Sequence, residues 1–243
     1  MNAPPPLTIE EVLMIFLLIF EVAVYSLPTH AVSGIHISAD MKLIKIWYDH
    51  DAPRDVNNIH AFPPGLAHLA PVLAKKDLCD TFCALMGPYV QPILQELFGA
   101  TVRVIQFIPR PALQIIQNEH DLQPRAHTVL EVTMNDGRVL FMDGTSEQFG
   151  WDRDSTWLRP MSDVVAYHMH TAEGFNYLTE AELEEDHALV LVADQGYWVF
   201  AAEKMEEAIG ELDWEVLREM VRNEREEYVK ALATAKFQEV IQV

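Results

Sequence analysis

Basic residues are scarce in this chain. Lys and Arg number 17 against 37 Asp and Glu, a formal net charge of −20 over 243 residues. That field repels a polyanion, which excludes nucleic acid as an expected partner. Cysteine is scarcer still, with only Cys79 and Cys83. Two cysteines four residues apart cannot frame a disulfide scaffold, and on one helix both are expected to stay reduced. No apolar run reaches the roughly 20 residues that a membrane span needs. The stretch Val12 to Phe20 is interrupted by Glu21, and Glu10 and Glu11 stand before it where a secretory leader would carry Lys or Arg. The expected setting is cytoplasmic, without a membrane. A glycine-rich phosphate loop, a G-x-S-x-G elbow and internal repeats are also missing, so nothing points to a nucleotide cofactor or a serine hydrolase.

What is present is enough apolar material for a sizeable core: half of the residues are hydrophobic. The length fits one large domain with a helical extension, divided as residues 1–160 and 161–243. After a proline lead over residues 1 to 7, Thr8 with Glu11 reads as a capping box. It opens a helix that runs to about Leu27, before Pro28. This helix is apolar nearly all round, so it either crosses the middle of the domain or packs into a partner chain, making it a candidate homodimer contact. Ile35, Ile37 and Leu43 to Trp47 suggest short strand or helix pieces, and the prolines of residues 49 to 65 mark a loop. From Leu66 the pattern turns helical. A helix carrying Cys79 is expected to reach Met86, where Gly87–Pro88 breaks or kinks it, with a new turn from Pro92. Thr101 to Ile108 reads as a strand. Residues 144 to 160 read as a polar loop with Trp151 and Trp157, either of which could line a cleft or sit in the core. His187 to Ala193 is strand or helix. Tyr197 to Ile209 is a helix, and so is Trp214 to about Phe237, capped by Asp213.

The chemistry concentrates in three places. Cys79 stands at the expected start of its helix, where free N–H groups and the macrodipole favour a thiolate. Cys83, one turn on and nearer the apolar face, reads as a small core residue. His127 to Met134 and Arg138 to Asp143 alternate as strands around Asn135–Asp136–Gly137, a strong hairpin signal. Register then decides whether His127 meets Asp143. A two-residue turn sets Asp143 opposite Leu130, on the far face. A three-residue turn, with Gly137 in the left-handed position, sets it opposite Val129, on the face of His127. The glycine position favours the second. A carboxylate–imidazole hydrogen bond is expected, with the other ring nitrogen free for a thiol. His168 and His170 alternate, and His187 follows, but no zinc-type spacing accompanies them and no metal is expected.

The segment Cys79–Asp–Thr–Phe–Cys–Ala–Leu resembles the cysteine helix of transglutaminase-like proteins, within the papain-like class. The segment from His127 through Asn135–Asp136–Gly137 to Asp143–Gly144–Thr145 resembles that family's histidine strand, turn and Asp-x-Thr strand. Asp77 stands where the family usually has glycine, two residues before the Cys. The resemblance, over roughly residues 66 to 150, implies an α+β fold with the cysteine helix packed on an antiparallel sheet that carries the His and Asp strands, followed by a helical C-terminal part. It implies a Cys79/His127/Asp143 triad working through a thioester, without a cofactor, on a small-molecule or peptide acyl substrate. Amidase, peptidase, acyltransferase and small-molecule cyclase all use that chemistry. The Cys79 backbone N–H is one expected oxyanion donor, with Trp47, Asn57, Asn58 and His60 as candidates for the second. The alternative is a non-catalytic binding or scaffold module of the same fold.

Overall fold

The structure, a computed structural model, describes residues 6–62, 64–117, 126–170 and 174–238. Most of the proline lead, residues 1 to 5, lies outside them. Within these residues the N-terminal half runs α1 (Ile9–Tyr25), β1 (Ala31–Ile37), β2 (Leu43–Asp49), α2 (Ala70–Ala74), α3 (Cys79–Phe98), β3 (Thr101–Phe107) and β4 (Gln114–Gln117). Then come β5 (His127–Thr133), β6 (Val139–Met142), α4 (Arg153–Thr156), β7 (Leu158–Pro160) and α5 (Met161–Asp163). The chain closes with β8 (Asn176–Tyr177), α6 (Glu180–Val192), α7 (Tyr197–Gly210), α8 (Trp214–Glu219) and α9 (Arg222–Gln238).

The fold is α+β. One sheet is antiparallel, in the order β7-β6-β5-β3-β8, and α3 packs across β5 and β3. A second sheet, β1-β2-β4, pairs β1 with β2 antiparallel and β2 with β4 parallel. The two faces of the antiparallel sheet serve different cores. Val104, Leu130 and Val132 belong to the main core with α1 and α3. Ile105, Phe107, Val129 and Phe141 join Trp151, Val164 and Met169 on the other side.

Thr8 opens α1 with the expected capping box: its hydroxyl accepts from the Glu11 N–H, and the Glu11 carboxylate accepts from the Thr8 N–H. The helix crosses the middle of the molecule. Its residues 12 to 20 are buried by α3, α7 and α9 of the same chain. The expectation of a homodimer contact on this helix is thereby corrected, because its apolar surface is already covered. Among the described residues no helix is long and apolar enough to cross a membrane.

Two helix boundaries differ from expectation. Helix α3 runs unbroken through Pro88 and Pro92 to Phe98, where Gly99 caps it in the left-handed conformation (φ 61°). Both prolines are exposed and one turn apart. The carbonyls of Ala84 and Pro88, which lose their donors, therefore lie on the side open to water. The last helix, by contrast, is two helices, parted where Met220 is extended. The Arg225 guanidinium takes the freed carbonyls of Leu217 and Met220, both at 2.9 Å, and pairs with Glu11 at 2.6 Å. The break is thus repaid by a cation that also ties α9 to the start of α1. The region 144–160, read as a loop, holds α4 and the edge strand β7.

Candidate active site

Helix α3 starts at Leu78, with no side-chain cap, and Cys79 is its first residue. The first N–H groups of such a helix have no intrahelical partner. The backbone entering the helix is held by Gln148, whose Oε1 accepts from the Asp77 N–H at 3.0 Å and whose Nε2 donates to Thr145 Oγ1 at 2.8 Å. Asp77 has a φ of 58°, a conformation that glycine adopts more easily.

The hairpin has the three-residue turn. Met134 and Arg138 close it, with Gly137 N–H donating to Met134 O and Gly137 at φ 82°. Leu130 pairs with Met142 and Thr133 with Val139. Asp143, one residue further, therefore comes level with Val129 on the His127 face. His127 Nε2 and Asp143 Oδ2 are 2.7 Å apart. The other carboxylate oxygen, Oδ1, accepts from the Thr145 N–H at 2.9 Å, so the Asp143–Gly144–Thr145 corner aims the carboxylate. Gly144 allows the cysteine helix to come close. A Cβ there would stand 2.3 Å from the ring of Phe82, three residues after Cys79.

His127 is fully buried, at 0% exposure, amid Phe107, Phe149 and Trp151, whose rings lie 4.7 to 5.9 Å from its own. Burial by itself would lower its pKa. The Asp143 carboxylate and then Cys79 outweigh that and raise it to about 10, so the ring holds a proton at neutral pH. Nδ1 makes no hydrogen bond. The Cys79 side chain, 6% exposed, belongs to neither hydrophobic cluster. Its Sγ lies 4.0 Å from Asp80 Oδ1, and Asp80 accepts from the Thr128 hydroxyl. Cys83 differs: burial, reinforced by the neighbouring Cys79 and Asp80, pushes its thiol well above the ordinary range.

A cluster of charges beside the site had no signal in the sequence beyond Glu21, which read only as an interruption of an apolar run. Lys75, 0% exposed, donates to Glu21 Oε1 and Glu147 Oε1, both at 2.7 Å. Arg153 grips Glu21 through two bonds of 2.6 and 2.8 Å. Burial opposes the charge on Lys75, but the two carboxylates outweigh it and raise its pKa. Burial would also raise the Glu21 carboxyl, yet Arg153 and Lys75 hold it below its ordinary range. The cluster pins α1 to the chain four residues before Cys79 and four after Asp143.

The remaining candidates serve other ends. Asn57 Nδ2 donates to Asp55, and Asn58 Nδ2 donates to Thr29 O, so both carboxamides brace the 29–55 bridge. Trp47 stands exposed on β2 and covers Gly34. The side chain of His60 lies outside the described residues. None of the described three is placed as the second oxyanion donor. Trp157 is core, and its carbonyl accepts from the Asp143 N–H at 2.7 Å. His168 packs on Trp151, with ring centroids 4.5 Å apart. Among the described residues no three His, Cys, Asp or Glu side chains converge as a metal site. No family model, curated protein or solved structure matches the chain.

Proposed function

We propose that this chain is a cysteine-dependent acyl-transfer enzyme of papain/transglutaminase-like architecture, working in a reducing cytoplasm on a small-molecule or peptide acyl substrate. One observation carries the reading. The His127–Asp143 pair holds one ring nitrogen and leaves Nδ1 unpartnered, while Cys79, the first residue of an uncapped helix, acts on the same ring. A buried donor left without a partner is costly in a purely structural pair.

In this mechanism Asp143 fixes the imidazole and stabilises its charged form, and the imidazolium favours the Cys79 thiolate. Sulfur attacks the substrate carbonyl carbon, forming a C–S bond as the carbonyl electron pair moves to oxygen. The first N–H groups of α3 are the natural donors to that oxyanion. Collapse expels the leaving group, which takes the proton from His127 Nδ1, and a thioester remains. Water, an amine or a carbon nucleophile then gives its proton back to His127 and its bond to the acyl carbon, which releases the thiolate and restores the starting ion pair.

Iodoacetamide at neutral pH tests this. Cys79 is expected to be alkylated much faster than Cys83, and His127→Ala to slow the Cys79 reaction by at least tenfold. Equal, slow alkylation of both thiols, unchanged by His127→Ala, sinks it. The second reading, a non-catalytic module of the same fold, has its own support: the ring is fully enclosed, and the hydrogen bond of the thiol goes to Asp80.

A further inference from the structure

A cleft of about 570 Å³ opens between α3, the edge of the antiparallel sheet and α6. Its volume lies in the range of small-molecule sites. The α3 wall is built from small residues, Ala84, Gly87 and Pro88, and the opposite walls from Val104, Leu130 and Leu183. Gly87 is why the space exists. A Cβ there would meet only Leu130 Cδ2, at 3.6 Å, so any longer side chain grows into the cavity. The Gly87–Pro88 pair, which reads in the sequence as a helix breaker, instead shapes a binding wall on a continuous helix.

The polar groups are sorted by sign. Among the described residues that line the cleft, Arg103 is the one permanent cation, with the imidazole of His187 beside the acids of α6, and the Arg103 charge is already spent. It lies 4.1 Å over the Tyr177 ring and donates to Glu131 through Nε at 3.0 Å, and Tyr177 OH donates to Glu131 in turn. Glu180 and Glu184, one turn apart on α6, line the rim with no ion pair of their own among the described residues. The floor is hydrocarbon and the uncompensated charge at the mouth is negative, within a chain whose net charge is −20. The near end of the cleft on α3 is Cys83 and the far end Gln91, a span of about 12 Å along the helix.

We propose that this cleft binds a cationic amphiphile: a straight hydrocarbon chain laid along α3, with its ammonium head between Glu180 and Glu184. The proposal does not rest on acyl transfer, and it is tested on protein whose thiol has been removed.

Calorimetric titration of the Cys79→Ala protein with decyltrimethylammonium and with decyl sulfate, each below its micelle concentration, separates the outcomes. The cation is expected to bind one to one and at least tenfold tighter than the anion. Affinity should fall about fourfold for each methylene removed on going to the octyl homologue. Glu180→Gln with Glu184→Gln lies on the surface and should weaken the cation roughly fivefold while leaving the anion alone. Gly87→Leu should abolish saturable binding of the chain. Equal binding of both amphiphiles, absence of saturable binding in the parent protein, or binding untouched by Gly87→Leu overturns the proposal. Failure of the alkylation test with success here would leave a binding cleft on a chain without the chemistry.

Discussion

Two buried ionic clusters lie within four residues of each other along the chain, and they are finished differently. Around Lys75 the two cations and two carboxylates pair with one another, the ammonium bridging Glu21 and Glu147 and the guanidinium gripping Glu21. At His127 the carboxylate is fully used, by the ring, the Thr145 N–H and the Thr145 hydroxyl, and yet Nδ1 is left without a partner. Both clusters bear the cost of burying charge. The first recovers it within the folded chain, by tying α1 to the segments that lead into Cys79 and out of Asp143. The second leaves one hydrogen-bonding capacity open beside a thiol. Saturation marks a brace; an open valence in an otherwise saturated cluster marks a place prepared for another atom.

The contrast can be broken most sharply at Lys75. Lys75→Met leaves Glu21 and Glu147 buried with half their positive charge gone, and unfolding in urea should show a loss of about 3–5 kcal/mol. A loss under about 1 kcal/mol would mean that the cluster braces nothing. Next in size is Gly144→Ala. The new methyl collides with Phe82, so stability should fall by about 1–3 kcal/mol, and Cys79 alkylation should slow along with it, because the cysteine helix is pushed off the Asp143 corner. Unchanged stability would show that the helix and corner have room to part.

The His127 cluster has a pH signature. The folded-state pKa of His127 is raised to about 10 from an ordinary value of 6.5. The stability it contributes is therefore fully present below about pH 6.5 and is lost as pH rises towards 10. Subtracting the pH–stability curve of His127→Gln from that of the parent should leave a difference that shrinks steadily across this window. A flat difference would mean that the ring is neutral in the folded protein. At the small end, Arg222→Ala removes surface pairs with Glu226 and Glu10 and should change the unfolding free energy measured in urea by under about 0.5 kcal/mol. A larger effect would blur the distinction between braced interior charge and solvated surface charge.

Features with a local cause were readable. Thr8 and Glu11 cap each other across one turn. Asn135–Asp136–Gly137 bends the chain by its own turn chemistry. Once the turn length was known, strand alternation set His127 and Asp143 on one face. Cys83 read correctly as core because it lies on the apolar side of its helix. Features with a distant cause were not readable. Gly87–Pro88 looked like a break or kink and Pro92 like a new start, and only the sheet beneath α3 and the water above it allow one helix to pass through both prolines. The gap between α8 and α9 depends on Arg225, which answers to Glu11 more than two hundred residues earlier. Strand β4 owes its existence to β2, with which it pairs in parallel. Glu21 gave no hint of Lys75 or Arg153.

The order of residues by itself determined where the thiol helix starts, how the hairpin turns and which side of it holds ring and carboxylate. Each of these depends on bonds made within a few positions. Only the folded molecule decided that Phe107, Phe149 and Trp151 enclose the His127 ring, that a glycine corner lets Phe82 close the gap, that buried charges lock the two flanking segments, and that small residues on α3 leave a cleft open. Those outcomes turn on side chains that meet across the core, and their geometry follows from how helix, sheet and loops exclude water together.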